Sequence, residues 1–226
     1  MYFDTGYLVF VLPAIIIAMI AQNKVNSTFN KYSSVLNGRG ITGAEVAQKI
    51  LNLYGIYDVK IEHVSGNLSD HFDPRTKVIR LSDSVYSSTS VAALGVAAHE
   101  TGHAIQHNNG YFPIKLRNTI LPVANIGSGL AFPLVILGIV FSFPTLVNFG
   151  IILFSAVVLF QLVTLPVEFN ASHRAIVVME EQNILSDGEL VGAKKVLSAA
   201  AMTYVAATIV ALGNLLRLIG LARRND

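Results

Sequence analysis

The sequence predicts an α-helical membrane protein with about four transmembrane helices and a small α+β region, and three observations carry that prediction. Hydrophobic residues make up 53% of the 226-residue chain and charged residues only 13%, with a mean hydropathy of +0.56, a balance outside the habit of soluble domains. Four apolar runs, at residues 7–21, 119–142, 145–165 and 196–216, reach or with their flanks approach the roughly 20 residues that cross a hydrocarbon core. Between the first two lies the one long polar stretch, residues 23–118, where a water-exposed domain has room to fold.

Composition also removes several classes of function. A formal charge of +2, with basic residues scattered along the chain, gives no footprint for nucleic acid. The absence of cysteine excludes disulfides, thiolate zinc sites and cysteine catalysis together.

Residues 1–23 read as an uncleaved N-terminal anchor. The run is bounded by Asp4 and by Gln22, Asn23 and Lys24, its flanks Tyr2 and Phe3 extend it, and no Lys or Arg precedes it as a signal peptide requires. Pro13 is a candidate kink. Residues 24–118 make the polar α+β region. Within it, residues 26–37 read as a linker or amphipathic lead-in. Thr42 and Glu45 are spaced as a capping box for a helix over 44–54, with Val46, Ile50 and Leu53 on its apolar face and Gly55 ending it. Residues 59–64 alternate as a strand, and a second strand over 77–81 follows the Asp73-Pro74-Arg75 turn. A free edge of that sheet could pair with an extended peptide; equally, the strands could do no more than cap a small core.

Residues 119–166 form a transmembrane hairpin closed at Phe143-Pro144, residues 167–195 a connector, and residues 196–226 a final span with a basic tail. Ala199, Ala200 and Ala206 on that last span suit close helix packing. With the polar region in the cytoplasm, Lys24, Lys31, Lys115, Arg117, Arg174, Lys194 and Lys195 all lie on the inner side, as the positive-inside rule asks. Arg217, Arg223 and Arg224 run against it.

The chemistry sits at residues 91–107, VAALGVAAHETGHAIQH, which contains His99-Glu100-x-x-His103. On a helix, residues four apart share one face, so both imidazoles can address one metal ion, and Glu100 projects beside it, where a carboxylate can take a proton from a water that zinc activates. Ser88, Thr89 and Ser90 offer N-cap oxygens, and small alanines favour the helix. Gly95 and Gly102 cost propensity and so mark a close approach by another element. The apolar lead-in, residues 91–98, is too short to cross a bilayer, which places the motif beside the membrane. The polar region is thus expected to be a zincin-like catalytic region.

A catalytic zinc site needs a third protein ligand. A longer motif with Gly and His further along the helix fails, because Gln106 and Asn109 stand at those positions. Glu168 fits: a carboxylate at the end of an apolar run is costly unless something binds it, and the hairpin returns the chain to the same membrane face. Asn170 and Ser172 are candidate partners for the ligating imidazoles, and His173 and Arg174 candidate donors to the oxyanion formed at a peptide carbonyl. His107, one turn beyond His103, is a rival third ligand or a neighbour of the site. His63 and His71 show no partner pattern, and Asp70 to Asp73 could hold a second ion or simply make a turn.

AAHETGHAIQH, LSDHFDPRTKVIRLS and PVEFNASHRA together resemble the YugP-type family of neutral zinc metallopeptidases, bacterial membrane proteins, over nearly the whole chain. More distantly the plan is similar to the HtpX and CAAX prenyl protease group, which has an acidic residue where Ser172 stands here. The resemblance implies Zn2+ on His99, His103 and Glu168, with Glu100 as general base. Residues and resemblance lead to one expectation, a membrane-embedded zinc metalloendopeptidase in the bacterial cell membrane, its site facing the cytoplasm. Its partners would be the lipid bilayer and unfolded or membrane-proximal protein or peptide substrates. A zinc-binding adaptor without catalysis and an intramembrane-cleaving protease are the alternatives.

Overall fold

A computed structural model describes residues 5–223 as six α-helices and three short strands. Tyr2, Phe3, Asp4 and Arg224, which figure in the sequence reading, lie outside the described residues. The protein is an α-helical membrane protein with a small α+β region. Helices α1 (Leu12–Ser33), α4 (Phe112–Val140), α5 (Pro144–Glu181) and α6 (Asp187–Arg223) are long and apolar enough to span a bilayer, α1 together with the turns that precede it.

Helices α1, α5 and α6 all run beyond their apolar stretches. α1 continues to Ser33 through residues that read as a linker, because Asn23 to Ser33 contains neither Gly nor Pro to stop it. Before α1, Tyr7–Val11 forms a π-helical turn in which the Leu12 N–H donates to the Tyr7 carbonyl. Pro13, whose ring crowds the carbonyl four residues back, accounts for the widened turn.

The chain divides into two compact units, each with its own core. The first comprises residues 5–22, Pro113–Pro166 and 203–223. Its core gathers Ala131, Val135, Val147, Phe154, Val158, Ala211 and Leu218. Small residues bring its helices together: a Cβ on Gly127 would lie 2.5 Å from the Leu153 carbonyl oxygen, and one on Gly150 2.9 Å from that of Ala131. The turn between α4 and α5 closes with the Phe143 N–H donating to the Gly138 carbonyl at 2.7 Å.

The second unit, Asn23–Phe112 with Val167–Met202, holds the polar region. Helix α2 (Gly43–Leu53) carries the expected capping box, the Thr42 hydroxyl accepting from the Glu45 N–H and Glu45 accepting from the Thr42 N–H. Strands β1 (Lys60–Val64), β2 (His71–Asp73) and β3 (Val78–Ser82) form one sheet in the order β1-β3-β2, with β1 parallel and β2 antiparallel to β3. β3, central, is buried at four of five positions; β1 and β2 are the edges. β2 went unread in the sequence because three residues are too few to show alternation.

Helix α3 (Val91–Asn108) is capped by the Ser90 hydroxyl, which accepts from the Ala93 N–H. Its apolar lead-in packs with α2, β3 and the ends of α5 and α6 into one core, around Ile50, Leu51, Ile79, Leu81, Leu94 and Met179. Burying those side chains, each worth about 1.5 to 3 kcal/mol, anchors the helix that carries the motif.

Candidate metal centre

Helical spacing sets His99 and His103 side by side on α3, their rings 4.8 Å apart between centroids and nearly perpendicular. Glu168, on α5, completes a cluster whose three ligand atoms all lie within 4.8 Å of one another. Its Oε2 stands 3.3 Å from His99 Nε2 and 3.5 Å from His103 Nε2. That oxygen is buried and makes no hydrogen bond. An orphaned carboxylate oxygen facing two imidazole nitrogens is costly by itself and is the donor set of a tetrahedral zinc site with one position left for water. The residues therefore fit the ion.

The far side of each ring is tied. Ser172 Oγ lies 3.1 Å from His99 Nδ1, and Gln106 Oε1 lies 3.0 Å from His103 Nδ1. Gln106 is fully buried, and its Nε2 donates to the Val167 carbonyl at 2.8 Å and to Asn170 Oδ1 at 3.0 Å. Both amide hydrogens thus point to α5, so its oxygen faces His103 and accepts from Nδ1–H. That tautomer leaves the Nε2 lone pair free for a metal. Asn170 Oδ1 also accepts from Arg174 Nε at 2.8 Å. The sequence reading missed Gln106, although a Gln three residues after a candidate ligand, on a helix face otherwise closed by Ala and Ile, was the available signal.

Burial alone would lower the His103 pKa, but the neighbouring carboxylates of Glu168 and Glu100 more than offset it, holding the imidazole above its ordinary value. The frame favours positive charge at this spot, the condition a divalent cation meets.

Glu100 is buried beside the cluster, and its Oε2 accepts from the Phe72 N–H of strand β2 at 3.0 Å. The remaining candidates fall elsewhere. His107 packs edge-to-face on Phe72 at 5.8 Å, outside the three-residue cluster. His63 pairs with Asp83 at 2.6 Å, and His71 Nδ1 meets the Ser69 carbonyl at 2.8 Å. The carboxylates of Asp70 and Asp73 are taken up by Ser82 and by Arg75, Thr76 and Arg80, which is a turn's use of them. Burial pushes the Asp70 carboxyl up, and the Ser82 bonds offset only part of that. His173 lines a groove with Phe169, Ser172 and Ile176.

Gly102 explains how Glu168 reaches the histidines. A Cβ there would sit 2.7 Å from the Ala171 carbonyl oxygen and 3.2 Å from its Cα, so α3 and α5 touch backbone to backbone between the two imidazoles. Gly95, the other glycine expected to mark a close approach, lies at ordinary contact distance from Ala193. Gly102→Ala must push the helices apart, at about 1 to 3 kcal/mol of overpacking. Zinc affinity is expected to fall about 10- to 100-fold, the range for disturbed support of a ligand, in a competitive chelator titration. Gln106→Met keeps the volume but strands His103 Nδ1. The same titration should show a loss of about 10- to 100-fold.

A family model described as "Putative neutral zinc metallopeptidase" matches residues 7–223. This chain belongs to that family. It is 49% identical over 208 residues, 92% of each chain, to "Putative membrane protease YugP" of Bacillus subtilis (strain 168). No solved structure matches it. Membership of the zinc metallopeptidase family and four apolar helices make it a membrane protein of that class.

Proposed function

We propose that the protein is a membrane-embedded zinc-dependent metalloendopeptidase, with His99, His103 and Glu168 holding the ion and Glu100 acting as general base. The observation that carries this reading is the buried, unpartnered Glu168 Oε2 aimed between two Nε2 atoms. Zinc held by those residues would supply a Lewis acid able to lower the pKa of water to about 7. Glu100, held at Oε2 by the Phe72 N–H, keeps Oε1 to accept the proton and deliver it to the leaving amine. Ser172 and Gln106 hold the two rings in place through Nδ1. Arg174, engaged through Nε, has its Nη groups for the developing oxyanion, with His173 as the second candidate.

Substrates are extended segments of unfolded or membrane-proximal proteins. Support comes from β2, an edge strand whose Phe72 amide touches Glu100, so a peptide laid along that edge would pass the base. We place the site on the cytoplasmic face of a bacterial cell membrane, on the distribution of Lys and Arg. Of the discordant arginines, Arg217 lies 5.2 Å from each of the Tyr7 and Phe132 rings, so packing accounts for its position. Protease access to tags at either terminus in intact cells tests the orientation; two cytoplasmic termini would reverse it. The activity is tested by incubating the detergent-purified, zinc-loaded chain with a diverse peptide pool. Cuts lost with a chelator and restored by zinc support the reading, and no cuts with zinc bound count against it.

A further inference from the structure

Within the second unit, α1 and α6 line a groove of about 650 Å³ whose lining includes none of the three cluster residues. Lys24, Thr28 and Lys31 line it from α1 at helical spacings of four and three residues, and Lys194, Lys195 and Ser198 from α6. Four lysines are among the residues that line it, and no acidic residue is. Lys194 has an acidic neighbour, Glu180, at 3.7 Å, with both side chains about half exposed, a pairing of small worth. Four like charges around one cavity repel unless an anion sits among them.

The rest of the wall is apolar. Tyr32, Val191 and Met202 face the same space, and Val191 and Met202 are about half exposed. Along the chain, Lys24 stands three residues after the apolar run of α1, and Lys194 and Lys195 immediately precede that of α6. Lys24, Lys194 and Lys195 therefore sit at the ends of helix segments suited to hydrocarbon, where lipid headgroups lie, with Lys31 about two turns farther along α1.

We propose that this groove binds the phosphate of an anionic phospholipid, with the four lysines holding the headgroup and Ala199 and Met202, on the span side of Lys195, lining the start of an acyl chain's path. Ammonium groups supply three donors each to phosphate oxygens, and the apolar wall gives a lipid an advantage that free phosphate lacks.

The test uses the full chain in detergent, with bound lipid counted by native mass spectrometry during titration with phosphatidylglycerol, phosphatidylcholine, inorganic phosphate and an oligoglutamate peptide. One phosphatidylglycerol is expected to bind, at least about tenfold more tightly than phosphatidylcholine. Replacing Lys24, Lys31, Lys194 and Lys195 together by Gln should weaken it on the order of 100-fold, since each basic residue near a headgroup contributes appreciably. Zinc content and melting temperature check the fold of that variant; if either drops, the pair Lys31→Gln with Lys195→Gln is read instead, with about a tenfold loss expected. Equal phosphatidylglycerol binding by wild type and folded variant overturns the proposal. So does displacement of the lipid by inorganic phosphate at equal concentration, which would make the site one for soluble phosphate, or by oligoglutamate, which would make it a peptide site.

Discussion

Glu100→Gln is expected to abolish peptide cleavage while leaving zinc content unchanged, a loss on the order of 10² to 10⁴-fold if general-base catalysis is its whole role. The substitution is nearly isosteric, and the glutamine oxygen can still accept from the Phe72 N–H, so β2 and α3 should stay joined. What disappears is the basicity of the second oxygen. The measurement is kcat/KM on a peptide found in the pool screen, with zinc per chain measured on the same sample. A variant that cleaves normally would remove Glu100 from the mechanism. A wild type that cleaves nothing, zinc-loaded and alongside an equally inert variant, would favour the adaptor reading.

The second large effect is expected at Glu168. Glu168→Ala removes one of three proposed ligands, so zinc affinity should fall by more than the roughly 10- to 100-fold that loss of a ligand's partner costs. Stability gives an independent readout. A ligand that binds only the folded state raises the melting temperature in proportion to the logarithm of its concentration over Kd. Zinc should therefore stabilise the wild type and not the variant. In the presence of chelator the order narrows or inverts, because the wild type keeps a buried carboxylate oxygen without a hydrogen-bond partner and the variant does not. Unchanged zinc content in Glu168→Ala would end the assignment, and the next ligand to test would be His107.

Much of this arrangement is readable locally. His99 and His103 share a face because four residues make about one helical turn. Thr42 and Ser90 cap their helices through contacts three residues long. Apolar run lengths mark all four long helices, and the cost of a carboxylate at the end of one singled out Glu168. Each of these inferences needs only spacing or composition along one stretch of chain.

Ser172 was a candidate imidazole partner from sequence, but which ring it meets, and the parts played by Gln106 and Phe72, depend on residues distant in sequence. Ser172 reaches His99 across 73 positions, Gln106 reaches Asn170 across 64, and Phe72 reaches Glu100 across 28. No periodicity encodes such pairs, because they exist only once α3, α5 and the sheet have packed. The membrane class, the motif helix and the metal-ligand candidates follow from local geometry and hydrophobicity, which the order of residues specifies directly. The tertiary structure alone decided that α3 and α5 meet at Gly102, because only a side chain reduced to hydrogen allows the Ala171 backbone so near. That contact brings Glu168 to the histidines, and Gln106 and Ser172 to their far nitrogens.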